Sequence, residues 1–414
     1  MTSVLHPNRI VKVNLSLTGS KSITNRLLIL RSIYPSLKIK NKSESQDTVV
    51  LENALKSSTN IKDVGHAGTA MRFLTAYYSI LENEEIILKG SERMRERPIY
   101  PLVDCLKLMG ADISYQEKDG FPPLKIRGKK LNSKNVEISS NVSSQFISAI
   151  LLVAPKLIGG LMMELKGELI SKPYIGMTLS LLNNLGIKTS FKNKLITVEN
   201  LERIQKQNIN VESDWSSASY WYSIVALSER AEVSLESFYK NSIQGDSVLI
   251  KYYKALGVET KFIENQISLS KVKDFKPPQN LNFNLIDTPD LAQTIAVTCF
   301  GLGISCFIKG LQTLNIKETK RLIALKNELT KLGAKVDVTD SSLKLFKVKK
   351  IKKNITIKTY HDHRMAMSFA PLSLKIPIFI ENPSVVVKSY PKFWEDLKRA
   401  GFMIKQIENI TKIS

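Results

Sequence analysis

A helix followed by a glycine and a short strand recurs along this 414-residue chain, and this repeat constrains the fold more than any other feature. Each copy has an amphipathic run, a stop resembling leucine–glycine, and a short strand pattern. The glycines lie 68 to 76 residues apart. Each stands at the end of a helix, where the backbone needs a residue that can adopt positive φ. Residues 48–64 form a degenerate sixth candidate without the glycine. The five full copies are 101–116, 177–192, 247–262, 322–338 and 393–406, with Gly110, Gly186, Gly257, Gly333 and Gly401.

The repeat length predicts an α/β (α+β) fold class. Six units of about 70 residues account for nearly all of the chain, and a chain of this length is expected to form two domains. We therefore expect three similar α/β units in each domain. Doubly wound α/β proteins also end helices in this way, but no G-x-G-x-x-G follows the first strand, which weakens a dinucleotide-binding interpretation. Solenoid repeats are usually shorter, so a solenoid is disfavoured.

The first helix start carries an unusual polar group, GSKSITNR (19–26), in front of an apolar run. A nucleotide P-loop needs glycines where Ser20 and Leu15 stand, so this motif is disfavoured. A helix start still offers free N–H groups and a positive dipole, to which Lys21 and Arg26 add charge. The stretch indicates an anion site, and the alternative is an ordinary capped helix with solvated charges.

Several other apolar helices begin with hydroxyl or charged residues. Any one of these starts is an ordinary cap, but a symmetric domain would point them in one direction. Two facing domains would then line a cleft for small molecules with phosphate and carboxylate groups. The helical stretches are 64–81, 141–155, 171–182, 287–300, 316–329 and 361–372.

Two acids among these cations indicate chemistry beyond binding. We expect Lys317, Glu318 and Arg321 to lie within one helical turn, with the two cations on one face. Asp290 begins another of the helices. Neither Asp290 nor Glu318 is needed to bind an anion, so both argue for proton transfer and for an enzyme.

The net charge of +22 and the pI near 9.6 favour an anionic partner, but the lysines are scattered over the whole chain. Only 13 of the 60 basic residues are arginine. Arginine binds carboxylate and phosphate through its planar fork, so its placement is more informative than the total charge. The arginines inside short polar motifs are Arg26, Arg72, Arg97, Arg321 and Arg364.

Other kinds of site are disfavoured. His361, Asp362 and His363 have metal-ligand chemistry, but no third histidine or cysteine is nearby and Arg364 would repel a cation. A serine nucleophile lacks its G-x-S-x-G motif. We therefore expect neither a metal nor another cofactor.

The chain has no run of 18 apolar residues and no apolar signal-peptide core. Its three cysteines, Cys105, Cys299 and Cys306, are expected to be buried thiols in a reducing compartment. These features predict a cytoplasmic protein.

The motifs, taken in order, resemble the 5-enolpyruvylshikimate-3-phosphate synthase (EPSP synthase) family of enolpyruvyl transferases. They are GSKS, AGTAMR, RMRERPI, SSQF, SKPY, TPD, KETKR, DHRMAM and the lysine of VVVKSYP, and they cover essentially the whole chain. The resemblance implies two domains, each of three βαβαββ units in a pseudo-threefold arrangement, with the active site in the cleft between them. Expected bounds are 20–213 for the N-terminal domain and 1–19 plus 214–414 for the C-terminal domain.

The family transfers the enolpyruvyl group of phosphoenolpyruvate to the 5-hydroxyl of shikimate 3-phosphate and releases phosphate. The resemblance implies two sets of binding residues. Shikimate 3-phosphate would contact Lys21, Ser22, Arg26, Ser143, Ser144, Gln145, Ser171, Tyr174, Asp290, Thr313 and Lys317. Phosphoenolpyruvate would contact Lys21, Gly68, Arg97, Gln145, Arg321, Arg364 and Lys388.

The resemblance also implies the catalytic groups. Asp290 would take the proton of the attacking hydroxyl, and Glu318 would protonate the methylene carbon of phosphoenolpyruvate. Lys21 is a further candidate for proton transfer, and Asp47 resembles another cleft aspartate of the family. We expect a monomer that needs no nucleic acid or membrane.

The chain departs from the family pattern at four positions. His66 and His361 stand in place of common asparagines, Phe73 in place of proline, and Thr313 aligns with a substrate-contacting asparagine. The charged set is intact, so the changes bear on affinity and not on reaction class.

Two alternatives differ in testable ways. A related enzyme that uses UDP-N-acetylglucosamine typically has a cysteine before its RP motif, but none lies between Glu82 and Asp104. A nucleic-acid-binding protein would fit the charge but lacks a known motif.

Overall fold

The computed structural model describes residues 1–132, 135–139, 143–348 and 350–407. The chain divides into two compact units. The inserted unit comprises Gly19–Val211 and Ile243–Gly245. The discontinuous unit comprises Met1–Thr18, Glu212–Ser242 and the described chain from Asp246 onward. No helix in the described ranges is long and apolar enough to cross a membrane.

Helices and strands alternate along the chain. The α-helices are α1 Lys21–Ile33, α2 Gln46–Lys56, α3 Gly68–Ser79, α4 Glu92–Arg95, α5 Tyr100–Leu108, α6 Ser144–Val153, α7 Lys172–Asn184, α8 Trp215–Leu227, α9 Leu249–Lys254, α10 Ala292–Leu302, α11 Arg321–Lys331, α12 His363–Phe369 and α13 Phe393–Arg399. Short 3-10 turns at Pro289–Leu291, Gln312–Ile316 and Pro383–Lys388 precede α10, α11 and α13.

The strands are short. They are β1 Thr2–Leu5, β2 Ile10–Leu15, β3 Leu37–Lys40, β4 Ile61–Asp63, β5 Glu85–Lys89, β6 Asp112–Tyr115, β7 Leu124–Arg127, β8 Asn135–Ser139, β9 Leu161–Lys166, β10 Thr189–Lys192, β11 Leu195–Val198, β12 Gln207–Asn210, β13 Arg230–Glu236, β14 Val258–Ile263, β15 Gln266–Lys271, β16 Asn280–Asn284, β17 Ser305–Lys309, β18 Val336–Val338, β19 Ser342–Leu345, β20 Thr356–Ile357, β21 Ile378–Ile380 and β22 Met403–Gln406.

Three four-stranded sheets in the discontinuous unit share one connectivity. In the sheet β16-β17-β19-β18, the first two strands are parallel and the hairpin β18-β19 adds two antiparallel strands. With α10 and α11 as connections, this is a βαβαββ unit. The sheet β2-β13-β15-β14 repeats the pattern, although the whole inserted unit lies between β2 and α8 in the chain. In the sheet β20-β21-β1-β22, β1 supplies the final antiparallel strand.

The inserted unit has two sheets of the same kind, β4-β5-β7-β6 and β8-β9-β11-β10. Its third sheet pairs only β12 with β3, in parallel. With α1 and α2, these strands form a βαβα unit without the closing hairpin. Five units of the described chain are therefore complete, and one is shortened.

The predicted helix–glycine–strand repeat is confirmed at all five full copies. The glycines have φ between 82° and 102°, each between a helix and an edge strand. The candidate sixth copy, 48–64, also forms a helix and a strand, but it is not the same element. Its strand β4 pairs in parallel with β5, whereas the other five edge strands pair antiparallel.

Three almost fully buried helices lie at the centre of each unit and contact one another. They are α1, α3 and α6 in the inserted unit, and α8, α10 and α12 in the discontinuous unit. A helix that is apolar on all sides is stable only in such a core. The polar residues at its start are then held by a rigid body. The cysteines Cys105, Cys299 and Cys306 are buried free thiols, as predicted.

Candidate active site

The start of α1 places a lysine–aspartate pair in the inserted unit. The Ser20 side chain accepts a hydrogen bond from the Ile23 N–H and caps the helix. Lys21 Nζ donates to Asp47 Oδ2 at 3.0 Å, and both side chains are largely buried. Asp47, in the first turn of α2, thus holds the Lys21 ammonium in place.

Arg26, one turn further along α1, is buried among neutral oxygens. Its Nε donates to Thr178 Oγ1 at 2.8 Å, and its NH2 donates to Ser148 Oγ at 2.9 Å and to the Tyr174 carbonyl at 3.3 Å. Its NH1 donates to the Ser22 carbonyl at 2.8 Å. Burial lowers the pKa of Arg26 to about 10. A guanidinium carries five N–H groups, so one on NH1 remains for a ligand.

Hydroxyl groups lie at three helix starts of the inserted unit. Ser143 caps α6 by accepting from the Gln145 N–H at 3.3 Å. Ser171 stands at the predicted capping position of α7, but its φ is 57° and its side chain does not cap the helix. The hydroxyls of Ser22, Ser144 and Ser171 have no hydrogen-bond partner among the described residues. Ser144 and Ser171 are 9% and 6% exposed, so these are nearly buried, unused donors.

The start of α3 is shaped by a glycine. A Cβ at Gly68 would lie 2.5 Å from Arg97 NH1, so only glycine allows the guanidinium this close to the helix start. The residue before it, Ala67, provides no side-chain cap. Gln145 Nε2 donates to Thr69 Oγ1 at 3.3 Å, which links the starts of α6 and α3. These groups offer the donors that an anion requires.

In the discontinuous unit, Arg321 is the centre of an ion-pair network. Only 1% exposed, it donates from Nε to Asp362 Oδ2 at 2.7 Å and from NH1 to Asp290 Oδ1 at 2.8 Å. Its NH2 donates to Glu318 Oε2 at 2.7 Å. Burial opposes its charge, but the three carboxylates outweigh burial and raise the pKa of Arg321 above its usual value. The guanidinium is therefore permanently charged.

Asp290 is surrounded by cations. Lys317 Nζ lies 3.4 Å from Asp290 Oδ1, and Arg364 NH2 lies 3.4 Å from Oδ2. Burial favours the protonated acid, but Lys317 and Arg364, together with Arg321, hold the pKa of Asp290 well below its usual range. Asp290 is therefore an ionised carboxylate at neutral pH.

The expectation that Lys317, Glu318 and Arg321 share one helical turn is wrong. Lys317 is extended, and α11 begins only at Arg321. The three side chains still meet, because Lys317 and Arg321 both contact Asp290 and Arg321 also contacts Glu318. Contacts with Asp290, and not helical spacing, bring these side chains together.

Asp362 caps α12 and orients both arginines. Its Oδ1 accepts from the Arg364 N–H at 2.9 Å while Oδ2 accepts from Arg321. Both oxygens of this fully buried carboxylate thus accept hydrogen bonds from the two arginines. Nearby, Lys388 Nζ donates to the His361 carbonyl at 2.8 Å. Within the described ranges, no group of three His, Cys, Asp or Glu side chains is arranged to hold a metal ion.

Thr313 lies on the 3-10 turn before α11. Its Oγ1 is buried and has no hydrogen-bond partner in the part of the chain that the structure describes. The departure from asparagine therefore leaves one hydroxyl available here.

Sequence reasoning missed Ser216 and Asp246. The Ser216 hydroxyl donates to Asp246 Oδ2, and Arg364 NH2 donates to Ser216 Oγ at 3.3 Å. Burial raises the pKa of Asp246 to about 6 against the opposing charge of Arg364, and Asp246 Oδ1 has no partner among the described residues. The two residues are 30 positions apart, so no local motif could link them.

The predicted residues divide into two polar sets, one in each unit. The inserted unit holds Lys21, Ser22, Arg26, Gly68, Arg97, Ser143, Ser144, Gln145, Ser171 and Tyr174. The discontinuous unit holds Asp290, Thr313, Lys317, Glu318, Arg321, Arg364 and Lys388.

Known proteins of one family resemble this chain over nearly its full length. Residues 33–397 match the family model for EPSP synthase (3-phosphoshikimate 1-carboxyvinyltransferase). A 3-phosphoshikimate 1-carboxyvinyltransferase of Bacteroides fragilis is 42% identical over 399 residues, which are 95% of this chain and 97% of the relative. One from Haemophilus influenzae is 34% identical over 433 aligned residues, 95% of this chain and 98% of the relative.

Solved structures share the fold. An EPSP synthase from Acinetobacter baumannii matches with a TM-score of 0.77 at 22% identity, covering 98% of this chain and 99% of that one. An enolpyruvyl transferase from Streptomyces tendae matches with a TM-score of 0.75 at 14% identity, covering 98% of each chain. The ordered motifs, the βαβαββ units and these matches together show that the chain belongs to the EPSP synthase (3-phosphoshikimate 1-carboxyvinyltransferase) family.

Proposed function

We propose that this chain transfers the enolpyruvyl group of phosphoenolpyruvate to the 5-hydroxyl of shikimate 3-phosphate. The products are 5-enolpyruvylshikimate 3-phosphate and phosphate, in the shikimate pathway to chorismate and the aromatic amino acids. Family membership supports the reaction. The observation that carries the mechanism is an ionised Asp290 surrounded by Lys317, Arg321 and Arg364.

Shikimate 3-phosphate is assigned to the polar set of the inserted unit. Ser143, Ser144 and Ser171 bind its phosphate, for which the unused hydroxyls of Ser144 and Ser171 are suitable donors. Ser22 and the remaining N–H of Arg26 bind its carboxylate. Hydrogen bonds to charged groups are worth about 1.5–3 kcal/mol each, so these few donors supply substantial affinity.

Further contacts complete the shikimate 3-phosphate set. Tyr174, on the same helix as the Ser171 cap position, assists at the phosphate. Groups near the ring hydroxyls are Gln145, Asp290, Thr313 and Lys317, with Lys21 close by.

Phosphoenolpyruvate has two anionic ends, and different cations are assigned to each. Arg321 and Arg364 bind its carboxylate, because paired guanidinium groups suit the planar geometry of that group. The phosphate is assigned to Lys21, Gly68, Arg97 and Lys388, with Gln145 beside them. Gly68 contributes through its backbone, since the absence of a Cβ lets Arg97 approach the start of α3.

Proton transfer follows from the placement of the acids. Asp290 takes the proton of the 5-hydroxyl as the oxygen attacks C2 of phosphoenolpyruvate, while Glu318 gives a proton to the methylene carbon. This addition forms a tetrahedral intermediate. Glu318 then takes a proton from C3 as the C–O bond to phosphate breaks, which restores the double bond, and Lys21 gives a proton to the leaving phosphate.

Substrate charge tunes these acids. With the surrounding cations unopposed, the pKa of Asp290 lies too low for an effective base. A ligand carboxylate on Arg321 and Arg364 neutralises part of this field and raises the affinity of Asp290 for a proton. Binding of phosphoenolpyruvate therefore makes Asp290 a stronger base for the attacking hydroxyl.

We also propose that the protein is a cytoplasmic monomer without a cofactor or nucleic-acid partner. Its N-terminal domain would comprise 20–213 and its C-terminal domain 1–19 plus 214–414, a division that the two compact units support.

Phosphate release with both substrates tests the function. We expect release only when phosphoenolpyruvate and shikimate 3-phosphate are both present, with none when UDP-N-acetylglucosamine replaces the acceptor. Phosphate release from phosphoenolpyruvate only when UDP-N-acetylglucosamine is the acceptor would assign the related enolpyruvyl transfer instead. Tight binding to DNA in about 0.15 M salt, together with no phosphate release, would favour a polyanion-binding protein.

A further inference from the structure

Two consecutive residues in the left-handed region precede the arginine-bearing helix α12. Tyr360 has φ of 54° and His361 has φ of 57°. Histidine is among the residues enriched in this region, but a bulky tyrosine there is an outlier. Such a conformation persists only when surrounding groups determine it. Residues outside the segment must therefore stabilise this conformation.

Glu328 of α11 stabilises the segment. Its carboxylate is fully buried, and it accepts from the Lys358 N–H at 3.0 Å and from the Tyr360 O–H at 2.7 Å. Burial and the Glu328 carboxylate raise the pKa of Tyr360 to about 12, so its hydroxyl remains a donor at neutral pH. Lys331, one turn later on the same helix, pairs with Glu328 at the surface.

The residues that follow the held segment belong to the candidate active site. The His361 carbonyl accepts from Lys388 Nζ, and Asp362 accepts from both Arg321 and the Arg364 N–H. Glu328 lies two turns after Arg321 on the same helix. Helix α11 thus carries Arg321 at its start. Further along, its Glu328 binds the segment that leads to Arg364.

We propose that Glu328 is a positioning residue for phosphoenolpyruvate. It fixes the left-handed pair Tyr360–His361, so that Asp362 aligns Arg321 with Arg364 and the His361 carbonyl orients Lys388. The proposal rests on the proposed function for its ligand. Glu328 touches no substrate, and its effect passes through the 358–362 segment.

Two variants test this role. Tyr360→Phe removes one hydrogen bond to Glu328, and Glu328→Gln leaves the shape while removing the charge. We expect each to raise the KM for phosphoenolpyruvate by about tenfold, the usual order for one hydrogen bond to a charged group. The KM for shikimate 3-phosphate should change by less than about twofold, because its phosphate and carboxylate contacts lie elsewhere. Lys331→Met is the matched control. It removes the surface partner of Glu328 and a bond to the Thr356 carbonyl, but it keeps the bonds of Glu328 to Lys358 and Tyr360, so both constants should be unchanged.

Hydrogen exchange separates this proposal from the proposed function. In both variants, the amides around Arg364 should exchange at least about tenfold faster without any substrate, because their local structure opens more often. Faster exchange with a higher KM for phosphoenolpyruvate supports the role. Unchanged exchange, or faster exchange with an unchanged KM for phosphoenolpyruvate in the folded protein, overturns it. Absence of turnover in the unaltered protein would instead reject the proposed function.

Discussion

The two units present opposite kinds of polar set around the starts of their helices. In the inserted unit, Arg26 donates hydrogen bonds only to neutral oxygens among the described residues, and Ser144 and Ser171 keep unused hydroxyls. In the discontinuous unit, Arg321 contacts three carboxylates. Serine hydroxyls of the first set are spare donors, whereas Arg321 and Arg364 of the second set are already paired with carboxylates.

This difference indicates a division of work. A phosphate that meets neutral hydroxyls breaks no ion pair within the protein, so the inserted set is suited to binding. A ligand carboxylate that meets Arg321 and Arg364 competes with Asp290, so the discontinuous set converts binding into a change of proton affinity. The inserted set should therefore control affinity, and the discontinuous set should control turnover.

The largest expected effect concerns turnover. Asp290→Asn should lower kcat by about 10²–10⁴-fold, the usual contribution of a positioned acid–base group. Binding of shikimate 3-phosphate, measured by calorimetry, should persist, because the serine contacts remain. Near-normal turnover in this variant would remove Asp290 as the base and with it the contrast between the units.

A smaller effect is expected from the second arginine. Arg364→Ala should raise the KM for phosphoenolpyruvate by about 10–100-fold, because a charge-assisted pair is lost. Steady-state kinetics with each substrate varied in turn will measure it. Arg364→Lys retains the charge without the fork and should lose less. An unaltered KM for phosphoenolpyruvate in the alanine variant would argue against the carboxylate clamp.

Neighbouring serines on α6 sharpen the comparison within the inserted unit. Ser144→Ala should raise the KM for shikimate 3-phosphate by about tenfold and leave folding stability nearly unchanged, since its hydroxyl has no partner among the described residues. Ser148→Ala should instead lower the free energy of unfolding by about 1–3 kcal/mol, because Arg26 loses an acceptor. Kinetics and urea unfolding on both variants provide the test. Equal loss of stability in both would show that Ser144 is structural.

The smallest effect is a pH dependence of stability from Asp246. Its folded pKa of about 6 is raised by burial, so its contribution to stability is fully present below pH about 4 and is lost as pH rises through about 6. Between pH 5 and 7 this loss should be about 1 kcal/mol. Urea unfolding should show the step in the unaltered protein and in the exposed-site control Asp274→Asn, but not in Asp246→Asn. A step that persists in Asp246→Asn would belong to another group.

The repeated architecture could be predicted from sequence because it depends on local chemistry. A helix end in the left-handed region favours glycine, and Gly110, Gly186, Gly257, Gly333 and Gly401 all adopt it. The polar helix starts could be found for the same reason. Each motif is short, and its residues act within one turn of a helix.

What could not be predicted depends on distant parts of the chain. Ser216 meets Asp246 only because their segments pack together, and nothing near either residue signals the contact. The sequence pattern predicts too early a start for α11, because Lys317 and Arg321 meet through a distant residue, Asp290, and not through helical spacing. Strand pairing is also non-local, so the 48–64 range resembles the repeat in sequence although its strand β4 pairs in parallel with β5.

The pairing of the first two strands constrains how the protein assembles during synthesis. β1 pairs with β21 and β22, and β2 pairs with β13, so both strands leave the ribosome long before their partners. The inserted unit has all of its main sheet partners within 19–211 and can collapse while translation continues. In the nascent chain, β1 and β2 therefore stay unpaired while the inserted unit is already folded. Premature association with other chains would begin at these two strands.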